Sequence, residues 1–296
     1  MNLIRNIKKL GVKRFIFLFV IPLFFLCVIY VTKVEPNAVR LQKQVLHSDA
    51  LAKPCPKPIS VLHITDLHLN SDTAVRRLQK TLEITLPQSP DIALITGDFG
   101  LAPKEDTRFA ALAYLQVLVE AMPTYAVLGN HDYFKKLQPE DDIVNLIKDA
   151  GIKLLINEST NVIVNGMSVN IVGLADLWHA TYKPESCLTR KGSDESNGQL
   201  TLLLAHNPDA MDKLTKYDWD IAFSGHAHGG QVKLPFIDWY PFAPLRRNKQ
   251  FAKPVLHDLG DHQFLSVSAG IGNHHEIRLF SPPDCTILSI IPKKDN

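Results

Sequence analysis

From Ile59 to His228 the chain repeats one device: a short apolar run stops abruptly on an aspartate, an asparagine or a histidine. Residues 59–64 (ISVLHI) stop at Thr65-Asp66, with His68 two positions on. Residues 92–96 stop at Gly97-Asp98, and residues 124–128 at Gly129-Asn130-His131. Residues 200–205 stop at His206, and residues 219–223 run through Ser224-Gly225 to His226 and His228. Short runs that are apolar at nearly every position need cover on both faces, which a largely parallel sheet between two layers provides. In α/β sheets, sites form in the crevice at the carboxyl ends of the strands. Five strand ends therefore bring two aspartates, one asparagine and five histidines to one rim. Any one of these alone reads as a turn former, a helix cap or a buried histidine; the joint pattern does not.

The intervening segments fit the same architecture. The spacing of apolar residues predicts helices over 72–86, 105–121 and 139–150, the last opened by Pro139 and acids at the positive end of its dipole. Residues 161–174 (NVIVNGMSVNIVGL) are two alternating runs joined by Asn165-Gly166, a strong hairpin signal. A helix is expected from about Pro208, and further strands over 264–269 and 286–291. Alternation of strand and helix first, and mostly strands later, points to an α/β fold of two packed sheets with helices outside. Residues 184–199 (PESCLTRKGSDESNGQ) read as a polar surface insertion.

The N-terminus is of different material. Residues 15–32 (FIFLFVIPLFFLCVIYVT) carry no charge. As a helix this run would be about 27 Å long, close to the hydrocarbon thickness of a bilayer. Arg5, Lys8, Lys9, Lys13 and Arg14 precede it, and basic residues are sparser after it. The positive-inside rule then puts residues 1–14 in the cytoplasm as a basic tail and the body on the far side of the inner membrane. A cleaved signal peptide is the alternative; no clear small-x-small site supports it. Residues 33–58 are polar, with Pro36, Pro54, Pro56 and Pro58, and are expected to be a linker to a body spanning 59–296.

Composition excludes some classes. The 296 residues carry a net charge of +2, with no basic stripe in the body, so nothing argues for nucleic acid. Four scattered cysteines form neither a disulfide framework nor a zinc-finger spacing; Cys55 with Cys285 is the one pair worth testing for a bridge.

The collected blocks also resemble a family. DLH at 66–68, GD at 97–98, GNHD at 129–132, the histidine at 206 and GHAH at 225–228 look like the five blocks of the calcineurin-like metallophosphoesterases. SGHAHGGQV and AGIGNHHEIRLFSPPD look like its membrane-anchored bacterial branch. The resemblance implies a four-layer α-β-β-α sandwich. It implies that Asp66, His68, His228 and Asp98 hold one divalent ion, and that Asn130, His206, His226 and the shared Asp98 hold a second. Mixed nitrogen and oxygen donors suit Mn, Fe or Zn without choosing among them. It further implies a phosphoric ester hydrolase in which a metal-bridging hydroxide attacks phosphorus and His131 acts as general acid. Asp132 either orients His131 or starts a helix.

An extended segment would put His226 and His228 on one side, each facing a different ion. Gly229-Gly230 would turn the chain and leave room for a phosphate, or simply form a turn. Residues 234–251 (LPFIDWYPFAPLRRNKQF) place Arg246 and Arg247 beside aromatics, either to dock on a bilayer or as a folded loop with solvated arginines. His274 and Arg278 are candidates for the phosphate pocket, with a surface position the alternative for His274 and His275. The expected substrate is a phosphodiester or pyrophosphate at the membrane. UDP-2,3-diacylglucosamine, or no catalysis at all in a metal-binding membrane protein, are the competing readings.

Overall fold

A computed structural model describes residues 14–133, 140–193 and 199–292; the cationic residues before Arg14 lie outside them. The described residues open with an apolar helix, α1 (Phe17–Asn37), none of whose most apolar stretch is buried and which is long enough to cross a membrane. Strand β1 (Arg40–His47) follows. The body continues through β2 (Ile59–Ile64), α2 (Asp72–Thr85), β3 (Ile92–Thr96), α3 (Glu105–Ala121), β4 (Thr124–Val127), the single turn α4 (Asn130–Tyr133), α5 (Glu140–Asp149) and β5 (Lys153–Leu154). The hairpin β6 (Glu158–Val164) and β7 (Met167–Gly173) comes next, then β8 (Leu200–Leu204), α6 (Met211–Leu214), β9 (Ile221–Ser224), β10 (Leu256–Asp258), β11 (Phe264–Val267) and β12 (Asp284–Ile291).

Two six-stranded mixed sheets result, ordered β1-β12-β2-β3-β4-β5 and β10-β11-β9-β8-β7-β6. The central strands are apolar throughout because successive residues enter different cores. In β3, Ile92 and Leu94 face the second sheet, where they join Val169, Leu202, Ile221 and Phe223. Ala93 and Ile95 face outward onto Val75 and Leu78 of α2 and Leu115 and Leu118 of α3. Beyond the second sheet, Leu203, Ala222 and Leu265 are covered by Met211, Leu214, Tyr217, Trp219 and Phe251. The layers are therefore helix, sheet, sheet and a thin helix-and-loop cover. The helix expected from Pro208 is only a turn at Pro208–Ala210 followed by α6, because the aromatic side chains of loops cover most of that face.

The segment expected as a linker is corrected in part. Residues 40–47 add β1 in parallel to β12, from Arg40 opposite Asp284 to His47 opposite Ile291. An edge strand buries little, so its polar sequence RLQKQVLH carries no strong strand signal. Glu35 and Pro36 are also buried in the body. The insertion is tied at its start, where Leu188 is buried and Arg190 bridges to Tyr217; residues 194–198 lie outside the described residues. Cys55 and Cys285 are both free, buried in separate cores on opposite faces of the first sheet, which accounts for the missing bridge.

Candidate active site

All five strand ends that carry the candidate ligands meet at one place. The first sheet delivers Asp66 and His68 after β2, Asp98 after β3 and Asn130 after β4. The second delivers His206 after β8, and His226 and His228 after β9. All seven side chains are buried. Backbone bonds lock the strand ends together: Asp66 N–H donates to Gly97 O and His68 N–H to Asp98 O, each at 2.9 Å, and Gly225 N–H to His206 O at 3.0 Å.

Five of the seven, Asp66, His68, Asp98, His226 and His228, have φ between 44° and 63°. Residues other than glycine adopt this left-handed region at a cost, and such positions cluster at functional sites. The expectation that His226 and His228 lie on an extended segment is thereby corrected. Both sit in a tight turn, with Ala227 in a right-handed conformation between them, and the backbone twist aims the two rings. Gly225 is required there because a Cβ would collide with the Asp66 carboxylate and Thr65. A Cβ on Gly229 would collide with Ser281 and one on Gly230 with Tyr240, so both glycines serve close packing, and Gly230 also borders the open space over the cluster.

Donor atoms fall into two groups around Asp98. One comprises Asp66, His68, Asp98 and His228, whose ligand atoms all lie within 4.8 Å of one another. Here His228 Nε2 is 3.2 Å from His68 Nε2 and 3.3 Å from Asp66 Oδ1. In the other, Asn130 Oδ1 lies 3.1 Å from His206 Nε2 and 2.8 Å from His226 Nδ1. Asp98 Oδ2 stands between the groups, 3.7 Å from His68 Nε2 and 3.5 Å from His206 Nε2. It is buried with no hydrogen-bond partner among the described residues. A buried carboxylate oxygen aimed at ring nitrogens without a hydrogen bond to any of them is costly unless positive charge sits beside it. The donor set thus fits divalent metal. His206 is oriented for it, since its Nδ1 is 2.6 Å from Thr96 O, which leaves Nε2 to face the cluster.

The electrostatics are consistent with a cation site. Burial resists the charge on Asp98, but His206, His68 and His131 hold its carboxyl well below the usual range. Burial likewise opposes the proton on His206, yet the adjacent Asp98 keeps that imidazole well above its ordinary value. Burial pushes the Asp66 carboxyl up to about 7, with Asp98 adding to the effect. Burial, then His206, pushes His226 down to about 3, and burial, then His68, depresses His228. Neutral imidazole is the form that binds metal, which His226 and His228 already adopt, and at His206 a bound ion would replace the proton that Asp98 otherwise favours.

The cluster forms the floor of a cavity of about 630 Å³ lined by Asp98, Asn130, His131, His226 and His228. His131 is only partly buried, its ring 5.5 Å from that of His68 and 5.2 Å from that of His274. Its backbone N–H donates to Asp98 Oδ1 at 2.8 Å. Asp132 does not reach its ring: its carboxylate accepts from Gly129 N–H at 2.9 Å and Gly100 N–H at 3.3 Å, bracing the loop. His274 lines the cavity, with His275 beside it.

Arg278 does not line the cavity. It is fully buried, and its guanidinium donates to the carbonyls of His228, Ala269, Gly272 and Ser281 and to Asn273 Oδ1. It is a clamp on the last loop, in correction of the phosphate-pocket expectation. Arg247 is exposed, 3.6 Å from Asp212, and also stands outside the cavity. Arg246 approaches indirectly: its guanidinium lies 4.5 Å over the ring of Trp178, which itself stands edge-on 4.7 Å from His226 and walls the cavity. Sequence reasoning missed Trp178. The strand-end rule applied to β7, whose exit reads Leu174-Ala175-Asp176-Leu177-Trp178, would have found it.

Two sheets joined at their strand ends by a buried carboxylate and imidazole cluster, on the floor of a cavity, form a site of the kind that metal-dependent hydrolases use. The chain belongs to the calcineurin-like phosphoesterase family, whose profile matches residues 59–230. It is 30% identical over 247 residues to the phosphodiesterase YaeI of Escherichia coli (strain K12), covering 83% of this chain and 87% of that one. It is 26% identical over 318 aligned positions to the UDP-2,3-diacylglucosamine pyrophosphatase LpxG of Chlamydia trachomatis, covering 88% and 92%.

Proposed function

We propose that the protein is a dinuclear metal-dependent phosphodiesterase or pyrophosphatase acting on a membrane-associated phospho-substrate. The observation that carries this reading is the pair of donor groups sharing the orphaned Asp98 oxygen on the floor of one open cavity. Asp66, His68 and His228 with Asp98 would hold one ion, and Asn130, His206 and His226 with Asp98 the other. Bound divalent ions would supply a nucleophilic water at neutral pH and positive charge for the phosphoryl oxygens.

The protein's own groups do the rest. Asp98 balances charge between the two donor groups. His131, on the cavity side of the cluster, donates a proton to the leaving oxygen as the bond from phosphorus to that oxygen breaks. His274 stands beside His131 and contacts the substrate on the same wall. Trp178, braced by Arg246, closes the opposite side. By the charge rule the body faces away from the cytoplasm, held by α1.

A second reading is favoured by one comparison, the likeness to LpxG. In it the substrate is UDP-2,3-diacylglucosamine, cleaved at the pyrophosphate, with the body on the cytoplasmic side. The test for hydrolysis is Mn²⁺-stimulated release of nitrophenol from bis-p-nitrophenyl phosphate by the full chain. Activity is expected in the parent and absent in folded Asp98→Ala and Asn130→Ala. Metal binding without turnover of this probe or of the UDP-sugar would overturn the hydrolase reading in favour of a non-catalytic metal domain.

A further inference from the structure

We propose that an apolar collar around the cavity mouth is seated in the lipid–water interface, held there because it forms one rigid unit with the end of α1. The proposal rests on α1 being a membrane anchor.

The helix does not leave the body through a free linker. Val31 O accepts from Arg278 N–H at 3.0 Å, and the buried Glu35 carboxylate accepts from Ser281 N–H at 2.7 Å. Asn273 donates to Pro36 O, and Arg77 donates to Asn37 Oδ1 at 3.2 Å while paired with Glu276 at 2.9 Å. The strip at 277–281 is in turn joined to the next loop. Leu279 N–H donates to Gln231 O and Lys233 N–H to Leu279 O, each at 2.9 Å, and Leu234 N–H donates to Trp239 O at 3.2 Å. Helix end, strip and loop are thus connected backbone to backbone.

This connected unit carries most of the exposed apolar surface. After α1 in the sequence, ten large hydrophobic side chains are exposed among the described residues, and six of them are Phe236, Ile237, Trp239, Phe242, Ile277 and Phe280. Phe236 is fully exposed. Single exposed hydrophobics are ordinary, but a contiguous group marks an interaction surface. Where a membrane helix enters the body beside that group, the surface it meets is the bilayer. Tryptophan suits the headgroup level, and phenylalanine the apolar face that an interfacial segment buries beneath it. Lys233 and Lys253 flank Trp239 through Asp238, at 2.8 and 2.6 Å, and place surplus positive charge at headgroup level. Phe242 and Ile277 also line the active-site cavity, so the cavity opens within the collar.

The test uses the full chain in phosphatidylcholine–phosphatidylglycerol vesicles, with and without bromine on the acyl chains. Tryptophan emission is compared between the parent and Trp239→Phe. A bromine-quenched component that disappears in Trp239→Phe, and shrinks in Phe236→Ser/Ile237→Ser, is the expected result. Equal quenching in parent and Trp239→Phe, in protein that resists carbonate extraction, overturns the collar and leaves a protein partner as the occupant of this face. Release by carbonate overturns the anchor beneath it, and the collar with it. Hydrolysis of bis-p-nitrophenyl phosphate in detergent is measured on the same samples. Its absence counts against the proposed catalysis alone, since quenching still decides the collar.

Discussion

At the scale of single residues, the site depends on contacts too close for a side chain. Gly225 lies against the Asp66 carboxylate, and its own N–H donates to the carbonyl of His206, a proposed ligand. Gly225→Ala must push β2 and β9 apart where each presents a ligand. Overpacking of this kind costs about 1–3 kcal/mol. Displacing reacting groups by about an ångström costs on the order of a hundredfold in rate. Both losses are expected, in urea unfolding and in metal-stimulated turnover; parent-like turnover in Gly225→Ala would show that the close approach is dispensable. A second residue, His63, sets a pH dependence. It is buried between the sheets, 5.3 Å from the Phe223 ring and 2.8 Å from Thr96 Oγ1, and burial pushes its imidazole down to about 3. The unfolded chain takes up that proton near its ordinary value of 6.5, so the contribution of His63 is fully present above pH 6.5. It is lost as pH falls toward 3, at about 1.4 kcal/mol per pH unit. Unfolding free energies from pH 7 down to pH 4 should fall less steeply in His63→Phe than in the parent, by the slope of one proton. Identical slopes would mean that His63 is charged in the fold.

At the scale of elements, the informative one is β1. Its partner β12 lies more than 230 residues away in sequence, and its outer edge faces solvent. No local periodicity signals such a pairing, which is why residues 40–47 read as linker. The ligand-bearing strands are the opposite case: each announces itself by an unbroken apolar run and a terminal Asp, Asn or His, all local signals. The conformations that aim those ligands were not legible, because a left-handed aspartate or histidine has no sequence mark. Nor was Arg278, since an arginine saturated by carbonyls is written with the same letter as one that binds phosphate. The placement of β1 has a consequence for truncation. A chain beginning at residue 48 leaves β12 an open edge and uncovers Val39 and Leu41's share of the helix-side core. That loss is set against a total stability of only about 5–15 kcal/mol for a folded domain. Such a chain should aggregate or melt early on size exclusion and thermal denaturation, whereas one beginning at residue 33 should stay monomeric and folded. Equal melting of the two would make β1 an ornament of the sheet.

At the scale of the whole molecule, the cluster is the seam between the two sheets. Asp66, His68, Asp98 and Asn130 belong to one, and His206, His226 and His228 to the other. Along the seam, His206 Nδ1 reaches Thr96 O, and His226 N–H reaches Asp66 Oδ2 at 2.9 Å. A cation held there would cross-link the layers as well as serve the chemistry. Binding to the folded state alone stabilises by about 2.7 kcal/mol per site when free metal is a hundredfold above Kd. For a chain of this length that corresponds to a rise in Tm of roughly 2–4 °C per kcal/mol. Mn²⁺ should therefore raise the melting temperature and slow hydrogen exchange at the exits of both β3 and β8, and a chelator should reverse both effects. Because Asp98 Oδ2 stands between both donor groups, Asp98→Ala should abolish the response in the two sheets together. Substituting His206, which serves one donor group, should leave a partial shift. A full shift surviving in Asp98→Ala would mean that the metal which stabilises the fold lies elsewhere than at this seam.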